Sequence, residues 1–401
     1  MRLRIVWRNL TGKPLQSLVT VAILAVAVSL TVTLLLLADG IHQGLTRATE
    51  PFDLIVGAKG SPIQLVLNTV LLQDRPIGNI PETLVAELQK QPGVAMVIPL
   101  GFGDNYRGYR IVGTSGAIFH HRRQPAAPPW LRLAAGKPFA APFEAVVGAK
   151  TARELGLKPG DSFRSVHGLT LQEQGGERHE HPYRVVGVLK PVGGPYDQAI
   201  LVPLEGIWEV HEDHSLPALH GQTHDHGVTA ILVKPKGYAD AMRLYQQYQT
   251  ETRAQLIFPA QVIVQFFAIM GQGEQVLRII AYAMIAMTLL TVALVIYWSA
   301  LNRRREQAIL RAVGARSGDI FRMIVAEGVG LVAVGGLAGL IVGHLGFGVL
   351  AGALQRQTAL TIGLAASWQE LYLILGTFGF GILASAIPAA ALYRVDLVEY
   401  F

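Results

Sequence analysis

The sequence predicts an α-helical membrane protein with four transmembrane helices and one large mixed α/β extracytoplasmic domain inserted between helices 1 and 2. Three observations carry this. Of 401 residues, 51% are hydrophobic and 15% charged, with 43 glycines, a balance seldom met in a soluble chain of this size. Four stretches are apolar over the roughly 20 residues that a bilayer span requires. Finally, arginines gather beside these stretches: residues 303–322 hold six of them against two acids, wedged between two apolar runs. Such a cationic link resists translocation and fixes which way its neighbours face.

Taken in order, residues 1–14 place Ile5, Val6, Trp7 and Leu10 among Arg2, Arg4 and Arg8. This is the pattern of a short helix in the cytoplasmic headgroup layer, or of a tail whose charge serves topology alone. Residues 15–38 carry no formal charge. They exceed the roughly 7–15 residues of a signal-peptide core and lack a small-residue cleavage site, so they read as a retained first span. Residues 40–270 form the extracytoplasmic domain, with a histidine-rich segment at 179–226. The second span is 276–301, the cytoplasmic link 302–322 and the third span 323–354. A short outer loop at 355–370, basic only at Arg356, leads to the fourth span at 371–393 and a cytoplasmic tail at 394–401. Both termini are thereby placed in the cytoplasm.

The large insertion reads as folded. Pro81 to Lys90 opens on proline and sets Leu84, Val85 and Leu88 on one face, a helix pattern. Residues 93–100, 109–113, 144–148, 183–189 and 229–233 are apolar or β-branched runs bounded by glycine or proline, as strands are.

The link Arg304-Arg305-Glu306-Gln307-Ala308-Ile309-Leu310-Arg311-Ala312-Val313-Gly314-Ala315, continued by Ile320-Phe321-Arg322 and a glycine-rich helix led by Glu327, resembles the core of the FtsX-like, MacB-type permeases. Glu144 to Asp161, with Val147-Gly148, Leu155-Gly156-Leu157 and Pro159-Gly160-Asp161, resembles their periplasmic domain, and Pro388-Ala389-Ala390 with Arg394-Val395-Asp396 their C-terminal ending. Asp396-Leu397 stands where the family ends on Asp-Pro, and residues 200–227 match no pattern of it. The resemblance implies a type VII, mechanotransmission ABC system in the bacterial inner membrane. There a separate cytoplasmic ATPase, carrying ATP and Mg2+, drives a homo- or heterodimer of permeases. Members of the family act on lipoproteins, peptides, drugs or cell-wall hydrolase partners, so a periplasmic partner belongs to the expectation.

The link itself carries the coupling residues: Arg303, Arg304, Arg305, Glu306, Ile309, Leu310, Arg311, Gly314 and Ala315. Apolar Ile309 and Val313 stand among arginines on a short helix that Gly314 can end in a left-handed turn. Such a stub suits a cleft in an ATPase; contact with anionic lipid explains the arginines but not the apolar knobs. The chain holds no Gly-x-x-x-x-Gly-Lys-[Ser/Thr] sequence, so the phosphate cradle must lie on another subunit and the chain is not itself the enzyme. In the third span, Gly335, Gly339 and Gly343 recur at four-residue spacing, a face on which another helix, such as that of a second permease, can approach closely.

Histidine is unevenly placed. His211, His214, His220, His224 and His226 crowd one stretch, and His179 and His181 flank Glu180. With no cysteine in the chain, a zinc site would use imidazole and carboxylate, so these seven are candidate metal ligands. No other cofactor is assigned to the chain. The net charge of +6 sits beside apolar runs rather than on an aromatic-lined groove, which argues against nucleic acid as a partner. No nucleophile elbow or zinc-protease helix occurs. Two readings compete: a permease transmitting ATP-driven motion outward, and a metal-responsive or metal-handling membrane protein using residues 179–226.

Overall fold

The computed structural model describes residues 14–168, 179–212, 227–302, 309, 314–358, 360, 362–363 and 368–393. The chain divides into two compact units: residues 1–40, 270–353 and 362–401, and residues 41–269 with 354–361.

The first unit is helical. It draws on α1 (Pro14–Thr49), and on three later helices that are numbered below in chain order. Buried Leu24, Ala27, Val28, Val32, Leu35 and Leu36 mark one face of α1, while Leu15, Leu18, Val19, Ile23, Val26 and Leu30 are exposed on the others. A helix apolar on every side is suited to lipid rather than water.

The second unit is a mixed α/β domain. Its elements are β1 (Leu54–Gly57), α2 (Pro62–Thr69), β2 (Ile80–Pro81), α3 (Thr83–Gln89), β3 (Val94–Tyr106), β4 (Tyr109–Thr114), β5 (Leu133–Gly136), β6 (Glu144–Val147) and α4 (Ala149–Leu155). There follow β7 (Ser162–Phe163), β8 (Val166–His167), β9 (Tyr183–Leu189), β10 (Ile200–Pro203), α5 (Leu204–Glu212), β11 (Gly227–Val228), β12 (Ala230–Pro235), α6 (Tyr238–Thr250) and β13 (Gln255–Ile257). The helices of the first unit complete the order: α7 (Pro259–Asn302), α8 (Ser317–Thr358) and α9 (Trp368–Tyr393).

Among the described residues, eleven strands form one sheet with the path β13-β1-β12-β3-β4-β10-β6-β9-β5, β7 adding to β9 and β8 to β3. Pairing is antiparallel except for β10 with β4 and β6 with β9. The runs read as strands are strands, and β3 extends well past Leu100 to Tyr106. The predicted 81–90 helix starts later, at Thr83, because Pro81 is taken up in a short pairing of β2 with β11.

Two apolar cores hold the sheet. One gathers Leu54, Val56, Leu84, Leu88, Ile231, Val233 and Leu244; the other Ile111, Val147, Phe163, Tyr183, Val185 and Ile200. His121, fully buried, sits edge-on to Trp130 with its Nε2 2.6 Å from the Pro51 carbonyl oxygen. Burial holds its pKa below the usual 6.5, a pull only partly offset by the Pro51 carbonyl. A depressed imidazole pKa favours the neutral ring in the folded state, so its contribution is present above pH 6.5 and is lost as pH falls below it. The unfolding temperature of the full chain is therefore expected to fall as pH drops from about 7.5 to about 5.5. His121→Gln, which keeps a donor for Pro51 but cannot titrate, should flatten that dependence.

The membrane-type helices are longer than the apolar runs that predict them. Among the described residues, Ser17–Thr49 and Gly318–Arg356 are long and apolar enough to cross a bilayer, and shorter apolar stretches run over Tyr282–Val295 and Ile374–Leu383. The end of α8 differs most from expectation. Residues 355–358, read as the start of an outer loop, continue α8 and belong to the α/β unit, where Lys150 Nζ donates to the carbonyl oxygens of Gln355 at 3.1 Å and Arg356 at 3.3 Å. A lysine on the last carbonyls satisfies acceptors a helix leaves open and suits the negative end of its dipole.

Candidate functional site

Among the described residues, a cluster of metal-type ligands lies at the far end of β3. The register of β3 against β4 slips between Phe102 and Asn105, a bulge that re-aims the strand. Beyond it β3 takes β8 as an antiparallel neighbour, placing Asp104 opposite His167 and Asn105 opposite Val166. Gly168 N donates to Gly103 O at 3.0 Å and Asn105 Nδ2 to Gly168 O at 2.8 Å. His179 N donates to Ser165 O at 3.2 Å, which brings a third element to the same spot.

In consequence one carboxylate oxygen, Asp104 Oδ1, lies 3.3 Å from His179 Nε2 and 3.7 Å from His167 Nδ1. The three ligand atoms all fall within 4.8 Å of one another. The side chains of Asp104 and His179 are 0% and 1% exposed, that of His167 45%. Two imidazoles and a carboxylate are a donor set for zinc-class ions, and the two rings also flank a carboxylate whose charge would be costly to bury alone.

Of the seven histidines singled out from sequence, the described residues bring His179 into this cluster. His181 stacks its ring on Phe143, with centroids 5.2 Å apart and planes 19° apart. His211 lies in α5, and His214, His220, His224 and His226 fall outside the described residues. Asp104 and His167 are the additions from structure. A carboxylate in a Gly-Asp-Asn stretch and a lone histidine far along the chain give no joint signal until β3 bulges and β8 pairs with it.

Of the segment expected from sequence to couple to an ATPase, Arg303, Arg304, Arg305, Glu306, Leu310 and Arg311 lie outside the described residues, as do 1–13. Ile309 is helical and 54% exposed. Gly314 adopts φ +102°, a left-handed turn open to glycine at little cost, Ala315 follows it, and α8 starts at Ser317.

The glycine stripe of α8 faces α1. A Cβ added at Gly335 would stand 2.9 Å from Leu24, at Gly339 2.7 Å from Val28 and 2.8 Å from the Ala25 carbonyl oxygen, and at Gly343 2.9 Å from Val32. Thr33 Oγ1 donates to the Gly343 carbonyl oxygen at 3.0 Å across the same seam. The close approach is thus made to the first helix of the same chain.

Two family models align with these two kinds of structure. Residues 17–250 match the MacB-like periplasmic core domain and residues 278–396 the FtsX-like permease C-terminal domain. The chain belongs to the FtsX/MacB-type ABC transporter permeases. Among solved structures, the permease is similar to the extracellular domain of the noncanonic ABC-type transporter YknZ from Gram-positive bacteria, at 14% identity and a TM-score of 0.31 over 51% of this chain and 98% of that one. It is also similar to the periplasmic region of MacB from Actinobacillus actinomycetemcomitans, at 13% identity and a TM-score of 0.34 over 54% of this chain and 94% of that one. No curated protein matches the permease in sequence.

Proposed function

We propose that this permease is the membrane subunit of an ATP-driven inner-membrane complex, and that it converts nucleotide-driven motion of a cytoplasmic ATPase into motion of its α/β domain outside. The observation that carries the reading is the order of the two family matches, a periplasmic core domain followed by a permease domain, in a chain without a phosphate-binding loop. Four spans with both termini in the cytoplasm follow from the basic flanks at 1–13, 302–322 and Arg394. A second permease, identical or not, completes the complex, and the domain expels, extracts or presents a substrate of the lipoprotein, peptide or drug class.

The form of the helices supports transmission. The chain stays helical from Pro14 to Thr49, from Pro259 to Asn302 and from Ser317 to Thr358, so helix rather than linker leaves each apolar stretch. A stiff rod passes a displacement of its end with little loss, whereas a flexible chain absorbs it. The competing reading, a metal-responsive receptor, is not favoured by the family to which the chain belongs.

The absence of native cysteine makes the topology directly testable. Tyr238→Cys, at a side chain 77% exposed in the α/β domain, should react with a membrane-impermeant maleimide in intact spheroplasts. Arg316→Cys, in the 302–322 link, should react only after permeabilisation. The reverse pattern would put the domain in the cytosol and end this reading.

A further inference from the structure

We infer that Asp104, His167 and His179 bind one zinc-class divalent cation, which fastens β8 and residue 179 to the bulged end of β3. The inference stands apart from the transport function.

The distances fit a shared cation, although the His179 Nε2 spacing also lies within hydrogen-bond reach of Asp104. Around a tetrahedral zinc with ligands at about 2.0–2.1 Å, neighbouring donor atoms stand about 3.3–3.4 Å apart. Asp104 Oδ1 keeps 3.3 Å to His179 Nε2 and 3.7 Å to His167 Nδ1. The second spacing exceeds a hydrogen bond yet is close to the edge of a coordination tetrahedron. The two rings lie 4.9 Å apart with their planes at 58°, tilted rather than stacked. A divalent ion also answers the burial of Asp104, since a buried carboxylate is retained when paired or bound to metal.

The donor types choose among ions. Two imidazoles exclude Mg2+ and Ca2+, which take oxygen ligands, and suit Zn2+ and its first-row neighbours. The half-exposed His167 leaves a path for entry, and three protein ligands leave a fourth position for water. Because His167 and His179 are separated in sequence, one ion held by both cross-links the chain, and a cross-link removes chain entropy from the unfolded state. The site uses neither His181 nor the histidines of 211–226.

The test uses the full-length permease in detergent on a histidine-free affinity tag. His211, His214, His220, His224 and His226 are replaced by asparagine so that the sequence tract does not compete. After chelator treatment and reloading with zinc, this parent should retain about one zinc per chain by elemental analysis. Loaded with cobalt, it should show the intense visible absorption of four-coordinate Co2+. His167→Ala should abolish both signals, and His181→Ala should keep them. Zinc should raise the unfolding temperature of the parent and leave His167→Ala unmoved, while the two metal-free proteins unfold alike because His167 is largely at the surface. A parent that binds no zinc, or a His167→Ala protein that binds as much as the parent, would overturn the site.

Discussion

Reversing the charge at Arg305 and Arg311 together is expected to disconnect the permease from its ATPase while leaving it correctly inserted. The two arginines belong to a segment with six arginines against two acids, and apolar Ile309 stands between them, 54% exposed on a helix. An exposed apolar side chain within an arginine-rich stretch has the make-up of an interface anchor, since arginine is among the residues that dominate binding energy when a partner excludes water. Truncating one buried charge partner costs about 2–5 kcal/mol, so two reversals should weaken the complex by roughly a hundredfold or more. The measurement is ATPase activity of the reconstituted complex, which should fall to that of the ATPase alone, with co-purification lost in parallel. Insertion should survive, because Arg303, Arg304, Arg316 and Arg322 keep the link strongly basic, which is what the proposed topology requires of it. Full activity in the double variant would show that the arginines serve topology and lipid contact and that docking lies elsewhere.

What could be read in the sequence follows from the range of the forces involved. A membrane span is written locally: α1 needs no partner to declare itself, because an uncharged stretch from Leu15 to Ala38 can satisfy its backbone in lipid only as a helix. The strands at 109–113 and 183–189 likewise carry their own signature of β-branched residues between turn formers. Asp104 does not. Gly101, Gly103 and Asn105 around it argue against a strand, and its place is set by the bulge against β4 and by pairing with β8, whose residues lie far off in sequence. The histidine cluster shows the same division. Histidine abundance pointed to 179–226, but coordination depends on three-dimensional convergence, and convergence selected His179 together with two residues outside that stretch. For the glycine stripe, the spacing revealed a smooth face and said nothing of its occupant, since any helix can approach a surface without side chains. The end of α8 was hidden for a different reason: Gln355 and Arg356 look like a polar loop, and only their carbonyl oxygens, which carry no sequence signal, meet Lys150.

The second large effect is expected at Gly339. Between α1 and α8 the backbones come close enough that a single added methyl at Gly339 would meet Val28 Cβ at 2.7 Å and the Ala25 carbonyl oxygen at 2.8 Å. The first neighbour belongs to a stiff β-branched side chain and the second is backbone, so neither yields by rotating a flexible tip. Gly339→Ala should therefore force the helices apart at a cost of about 1–3 kcal/mol, and Gly339→Leu should cost more. In lipid, the loss has no compensation from water, because association of membrane helices depends on van der Waals packing and interhelical hydrogen bonds. Separation also lengthens the contact from Thr33 to the Gly343 carbonyl, one turn along the seam. Gly348 supplies the control: on the same helix, with nothing within 4 Å of its added Cβ, it should accept leucine with a change within about 0.5 kcal/mol. Thermal unfolding of the purified proteins in one detergent separates the cases. Helix propensity alone would make both replacements neutral or stabilising, since glycine is a poor helix former, so a loss confined to Gly339 is the mark of the tight seam and equal losses at the two positions would count against it.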